Sequence, residues 1–151
     1  MRNTVYRVGA WCWIITGLGH TATDIAMRLS PSDTDREFDA MLRDHPFALM
    51  GMQTSHYELF MGFSLAMGLA IALVGILFLM LERFASEPGQ VRVAGTVGLA
   101  TSLALLALSV ALLPPPPIVL FTIAGVAFAV AVFSTRDSTT PARRWLHADT
   151  H

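Results

Sequence analysis

Lysine is absent: all ten basic residues are arginine, a mark of a GC-rich coding genome that says little about chemistry. Charge of either sign is scarce, 14% of 151 residues against about 25% in soluble domains, which points away from a soluble fold. A formal net charge of −1 removes nucleic-acid binding through a basic face. The single cysteine, Cys12, excludes an internal disulfide and leaves the redox compartment open. None of the long apolar stretches holds a His-x-x-x-His pair or a cysteine motif, so a metal site has no ligand pattern to support it.

What the chain has is apolar residues, 54% of the total. Four stretches are long enough for a hydrocarbon core that takes ~20 helical residues to cross: about 8–27, 57–81, 93–113 and 118–134. The run Pro114–Pro117 cannot continue a helix and turns the chain between the last two. Arg2, Arg7, Arg83, Arg92, Arg136, Arg143 and Arg144 all fall on one side if both termini are cytoplasmic. The 28–56 connection, with Asp33, Asp35, Glu37, Asp39 and Asp44, then lies outside. The expectation is a single-domain, all-α integral membrane four-helix bundle in a cell inner membrane, with a disordered tail over 137–151. Arginines ahead of an apolar run also fit a secretory signal, but Gly17, His20 and Asp24 interrupt the region where cleavage belongs, which favours a retained span.

Within the outer connection, Phe38, Met41 and Leu42 fall at helical spacing, Ser32 or Asp33 is placed to cap, and Pro46 suits the first turn of the following helix. This reads as a short amphipathic helix on the outer leaflet, either a lid or a plain solvated element. Contact faces between membrane helices favour small residues. The rows Gly62–Ala66–Ala70, Ala94–Gly98–Ser102 and Gly125–Ala129 are the candidates. Glu58 continues the first row by one turn, so it is expected to point into the bundle.

Ionisable side chains in or beside spans are costly and usually functional. On the first span Thr16, His20 and Asp24 repeat every four residues, with Trp13 adjoining. That spacing puts imidazole and carboxylate on one helix face. Gln53, His56 and Glu58 enter at the same depth on the second span. Three functions compete for this outward-facing cluster. The leading one is a membrane-embedded acid/base enzyme of isomerase, cyclase or hydrolase type. It acts on a lipophilic small molecule, with His20, Asp24 and Glu58 as catalytic residues and Thr16, Gln53, His56 and Trp13 around the substrate. In that reading Glu58 and Asp24 exchange protons, His20 orients or shuttles, and no cofactor is required. The second is a lipid- or ligand-binding or structural membrane subunit. The third is a metal or haem site using His20, His56, Asp24 and Glu58. Membrane lipids, the lipophilic molecule and a second copy of the chain are the partners this composition admits.

Gly-Leu-Gly-His at 17–20, and His56-Tyr57-Glu58-Leu59-Phe60-Met61-Gly62-Phe63-Ser64 opening the second span, carry a resemblance. The chain resembles uncharacterised four-span bacterial inner-membrane proteins of DoxX-like topology. What the resemblance implies is topology, not a reaction.

Overall fold

The computed structural model describes residues 2–134; the expected disordered tail, with Arg143, Arg144, His147 and His151, lies outside the described residues. The protein is mostly helical. Helix α1 covers Arg2–Leu29, α2 Asp33–Arg43, α3 His56–Phe84, α4 Pro88–Leu112 and α5 Pro115–Phe133. Helices α3, α4 and α5 are long and apolar enough to cross a membrane. Helix α1 is as long, but polar positions such as His20 and Asp24 dilute its apolar run.

Helix α1 packs along both α3 and α5, and α4 packs along α5. The rings of the core interlock edge-on. Tyr6 meets Phe128 with centroids 5.2 Å apart, and Trp13 meets Phe78 at 5.7 Å and Phe121 at 5.4 Å. Edge-to-face contacts of this kind match the quadrupoles of the rings. The Trp13 indole N–H donates to Ser102 Oγ at 3.0 Å, which places Trp13 in the core and closes the expected Ala94–Gly98–Ser102 row against the bundle. Both Ser102 and Ser109 are fully buried.

The α1–α3 seam runs through small residues, but not the expected ones. A side chain on Gly17 would overlap the Gly68 carbonyl oxygen and the Ala72 amide. Gly75 abuts the Ala10 carbonyl in the same way, 2.8 Å from where its Cβ would be. The contact row on α3 is therefore Ser64, Gly68, Ala72, Gly75. Gly62, Ala66 and Ala70 are exposed, and a Cβ on Gly62 would meet nothing. The two rows repeat at nearly the same interval; only the one from Ser64 to Gly75 is glycine-rich enough for backbones to touch.

At ~1.5 Å per residue, the 28-residue α1 and 29-residue α3 run about 42–44 Å, against about 28 Å for the 19-residue α5. Their ends are level where Tyr6 meets Phe128 and Arg7 Nε meets Glu82 Oε2 at 3.1 Å. The surplus of α1 and α3 therefore projects at the opposite end, called outer below. His20 lies two turns beyond Trp13, and Phe121 lies under two turns from the start of α5, so His20 and Asp24 stand at or above that rim.

Two expectations need correction. An all-helical chain was expected, with Pro46 opening a helix; instead Pro46–Leu49 (β1) and Met52–Ser55 (β2) pair antiparallel, with Phe47 opposite Thr54 and Ala48 opposite Gln53. Met50 (φ 51°) and Gly51 (φ 85°) are both left-handed, the backbone of a two-residue hairpin turn whose twist matches the strands. Pro46 is compatible with this because it occupies the first position of a strand that has only one neighbour. The second correction is the last span, which begins inside the proline run at Pro115: a first helical turn has no intrahelical use for the missing N–H.

Helix α2 forms as expected, capped by Ser32. The Ser32 hydroxyl accepts from the Asp35 amide, and the Asp35 carboxylate accepts from both the Ser32 hydroxyl and its amide. Those bonds, the side-chain one foremost, hold the Asp35 carboxyl below the usual carboxylate range. The apolar face of α2 is not covered: Phe38 and Met41 are exposed.

Candidate functional site

The close approach at Gly17 and Gly68 brings Ser64 of α3 against the outer third of α1. His20 and Asp24, one turn apart, both reach it. Ser64 Oγ donates to Asp24 Oδ2 at 2.5 Å and lies 3.0 Å from His20 Nε2. Direct approach of His20 Nε2 to Asp24 Oδ2 is 3.7 Å, too long for a hydrogen bond. The serine hydroxyl is the link.

Taking Asp24 as the acceptor, this order of bonds assigns a tautomer. Ser64 has one proton and commits it to Asp24, so toward His20 its oxygen can only accept. His20 Nε2 therefore carries a hydrogen. His20 Nδ1 makes no hydrogen bond among the described residues, and the imidazole is part-exposed, with 30% of its side-chain surface open against 17% for Asp24. In the neutral ring Nδ1 then carries the unshared lone pair. The arrangement inverts a nucleophilic serine, in which the imidazole receives the hydroxyl proton; here the hydroxyl hydrogen goes to Asp24 instead.

The other expected site residues lie elsewhere. Glu58 was expected to point inward; it is exposed on the far face of α3. It sits at the third position of the helix, its Oε2 accepting from the Ser55 amide at 2.9 Å and the Thr54 hydroxyl at 3.2 Å. Ser55 returns the bond to the Glu58 amide at 3.2 Å, which completes a capping box. On an ideal helix, with ~100° per residue, Glu58 and Ser64 point about 120° apart. His56 is exposed and lies flat on Phe47, centroids 4.7 Å apart. Gln53 is exposed on β2. Thr16 is buried and gives its hydroxyl hydrogen to the Cys12 carbonyl at 2.7 Å. Trp13 is a core residue. Of the seven expected residues, His20 and Asp24 alone meet.

Ser64 is the residue that sequence reasoning missed. The available signal was that it is the sole hydroxyl or other strongly polar side chain between Glu58 and Glu82. As for the metal or haem reading, no group of three His, Cys, Asp or Glu side chains converges among the described residues.

No family model, curated protein or solved structure matches this chain.

Proposed function

We propose that the chain is a four-span protein of a bacterial cytoplasmic membrane whose outer rim carries an acid/base centre, His20–Ser64–Asp24, acting on a lipophilic small molecule. The carrying observation is the bond from Ser64 to Asp24, which leaves His20 with a hydrogen on Nε2 and an unoccupied Nδ1. His20 is the general base or acid. Asp24, acting through Ser64, holds its tautomer and offsets its charge, as an orienting carboxylate does in other base-activated sites. This exchanges the roles first assigned to His20 and Asp24, and it releases Glu58 from the chemistry.

That α1 spans with the others is supported by its packing: it runs between α3 and α5, so it crosses whatever they cross. The arginines at 2, 7, 83 and 92 favour the inner side for the level helix ends, and the acidic α2 connection favours the outer side. Met50, 97% exposed at the hairpin tip, is a topological marker. In intact cells Met50→Cys is expected to react with a membrane-impermeant maleimide added outside, whereas the buried Cys12 of the parent chain stays unlabelled. Labelling of Met50→Cys only after the inner face is opened would reverse the orientation.

The chemistry is tested by comparing lipophilic extracts of membranes that hold the wild-type chain or its variants. A species altered by the wild type, at unchanged mass for an isomerisation or cyclisation, is expected to stay unaltered with His20→Ala and Asp24→Asn and to be altered normally with Glu58→Gln. A general acid–base group typically contributes a factor of about 10²–10⁴, so the losses should be near complete. Turnover that survives His20→Ala removes the centre. A second reading, a non-catalytic binding or structural subunit, is favoured by one fact: the three side chains hydrogen-bond to one another across the α1–α3 seam without any ligand. It is distinguished by unchanged extracts together with a loss of thermal stability in Ser64→Ala.

A further inference from the structure

The face of α3 turned away from α1 carries a second feature. Leu59 and Phe63 form a ridge with a groove on each side. One groove is closed laterally by Leu49 and Met52 of the hairpin and has Glu58 at its outer end. The other is closed by Phe38 and Leu42 of α2 and has His56 at its outer end. Each is an open groove of about 370 Å³, a volume in the lower range of ligand sites at about 300–1,000 Å³. Both are apolar along the helix and polar only at the outer end, so they are amphipathic in the same direction as a lipid.

The charges at that end are paired in sign. Glu58 spends Oε2 on the helix cap, and its Oε1 accepts nothing among the described residues. The Arg43 guanidinium lies 3.7 Å over the Tyr57 ring and is close enough to Glu58 to act on it through space. Stacking occupies the face of the guanidinium and leaves its in-plane N–H groups free to donate. A carboxylate at the head of one apolar channel, with a guanidinium held on Tyr57 at the same end of α3, matches a headgroup that carries one cation and one phosphate over two chains.

We propose that this cradle holds a two-chain phospholipid with a primary-ammonium headgroup, one acyl chain on each side of the Leu59–Phe63 ridge. Glu58 Oε1 takes the ammonium, and Arg43, stacked on Tyr57 in the first turn of α3, takes the phosphate. A primary ammonium has three hydrogens to donate, and a quaternary one has none, so the site selects between the two. The inference rests on α3 spanning the membrane with its first turn at the outer headgroups, and not on the chemistry proposed for His20, which lies on the opposite face of α3.

The test is native mass spectrometry of the protein released from vesicles containing equal parts of phosphatidylethanolamine and phosphatidylcholine of identical acyl composition. The wild type is expected to retain the ammonium lipid over the choline lipid by about fivefold, the ratio set by ~1 kcal/mol. Glu58→Gln is expected to abolish that preference, and because glutamine also completes a capping box the helix start survives the change. Arg43→Ala is expected to lower retention of both lipids. Equal retention of the two lipids by the wild type, or a preference untouched by Glu58→Gln, overturns the headgroup assignment. Single-chain lysolipid retained as well as the two-chain form overturns the two-groove geometry. No bound lipid at all, with the hairpin still labelled from outside at Met50→Cys, overturns the site while leaving the membrane placement standing; labelling from the inner face would instead locate the failure in the placement.

Discussion

Gly17→Leu is expected to lower the thermal midpoint of the detergent-solubilised protein by about 10 °C or more, with loss of a monodisperse elution peak. The reason is what the new side chain would strike. A Cβ at this position overlaps the Gly68 carbonyl oxygen and the Ala72 amide, and backbone cannot swing aside as a long side chain can. The helices must separate along their whole contact, so the cost exceeds the ~1–3 kcal/mol typical of overpacking. Separation also withdraws Ser64 from His20 and Asp24, so the three-residue contact is lost with the seam. Gly62→Leu is the matched control: a Cβ there meets nothing within 4 Å, and its midpoint is expected to stay within about 2 °C of the parent, as surface changes do. If Gly62→Leu proves the more damaging of the two, α1 lies against the other face of α3.

The contrast between those glycines also explains what was legible in the sequence. The long helices α3, α4 and α5 are written in uninterrupted apolar runs, and α2 in a serine cap ahead of Phe38, Met41 and Leu42. His20 and Asp24 follow from their spacing on one helix. Which face of α3 meets α1 does not follow from spacing, because Gly62–Ala66–Ala70 and Ser64–Gly68–Ala72–Gly75 repeat at nearly the same interval. Burial of backbone against backbone decides between them. The assignment of Glu58 fell with the wrong row. A local signal pointed the other way: Ser55-x-x-Glu58 is the pattern of a capping box, which commits the carboxylate to the backbone at the helix start. The hairpin was hidden for a different reason. Met50-Gly51 lacks the asparagine or aspartate that usually marks a left-handed pair, and Pro46 fits a first helical turn as well as a first strand position. The depth of the site was hidden too, since only the packed structure shows α1 and α3 overreaching α5.

Arg7→Leu is expected to destabilise the other end of the same helix pair. Glu82 is buried, with 3% of its side chain exposed, and its hydrogen-bond partner among the described residues is the Arg7 guanidinium at 3.1 Å, itself 57% exposed. Removing one member of a fully buried pair costs about 3–5 kcal/mol, chiefly because the remaining charge is left without a partner. Arg7 is largely in solvent, which screens the attraction and brings the expected loss down to about 1–2 kcal/mol. The asymmetry of burial gives the prediction its sign. Glu82→Gln introduced into Arg7→Leu is expected to recover most of the loss, since a neutral amide removes the stranded charge, whereas Glu82→Gln alone leaves Arg7 free to turn to water. Thermal melts of the four proteins in one detergent read the coupling directly. Strictly additive effects would mean that the pair contributes nothing, and that α1 and α3 are joined at this end by the Tyr6, Phe78 and Phe128 packing alone.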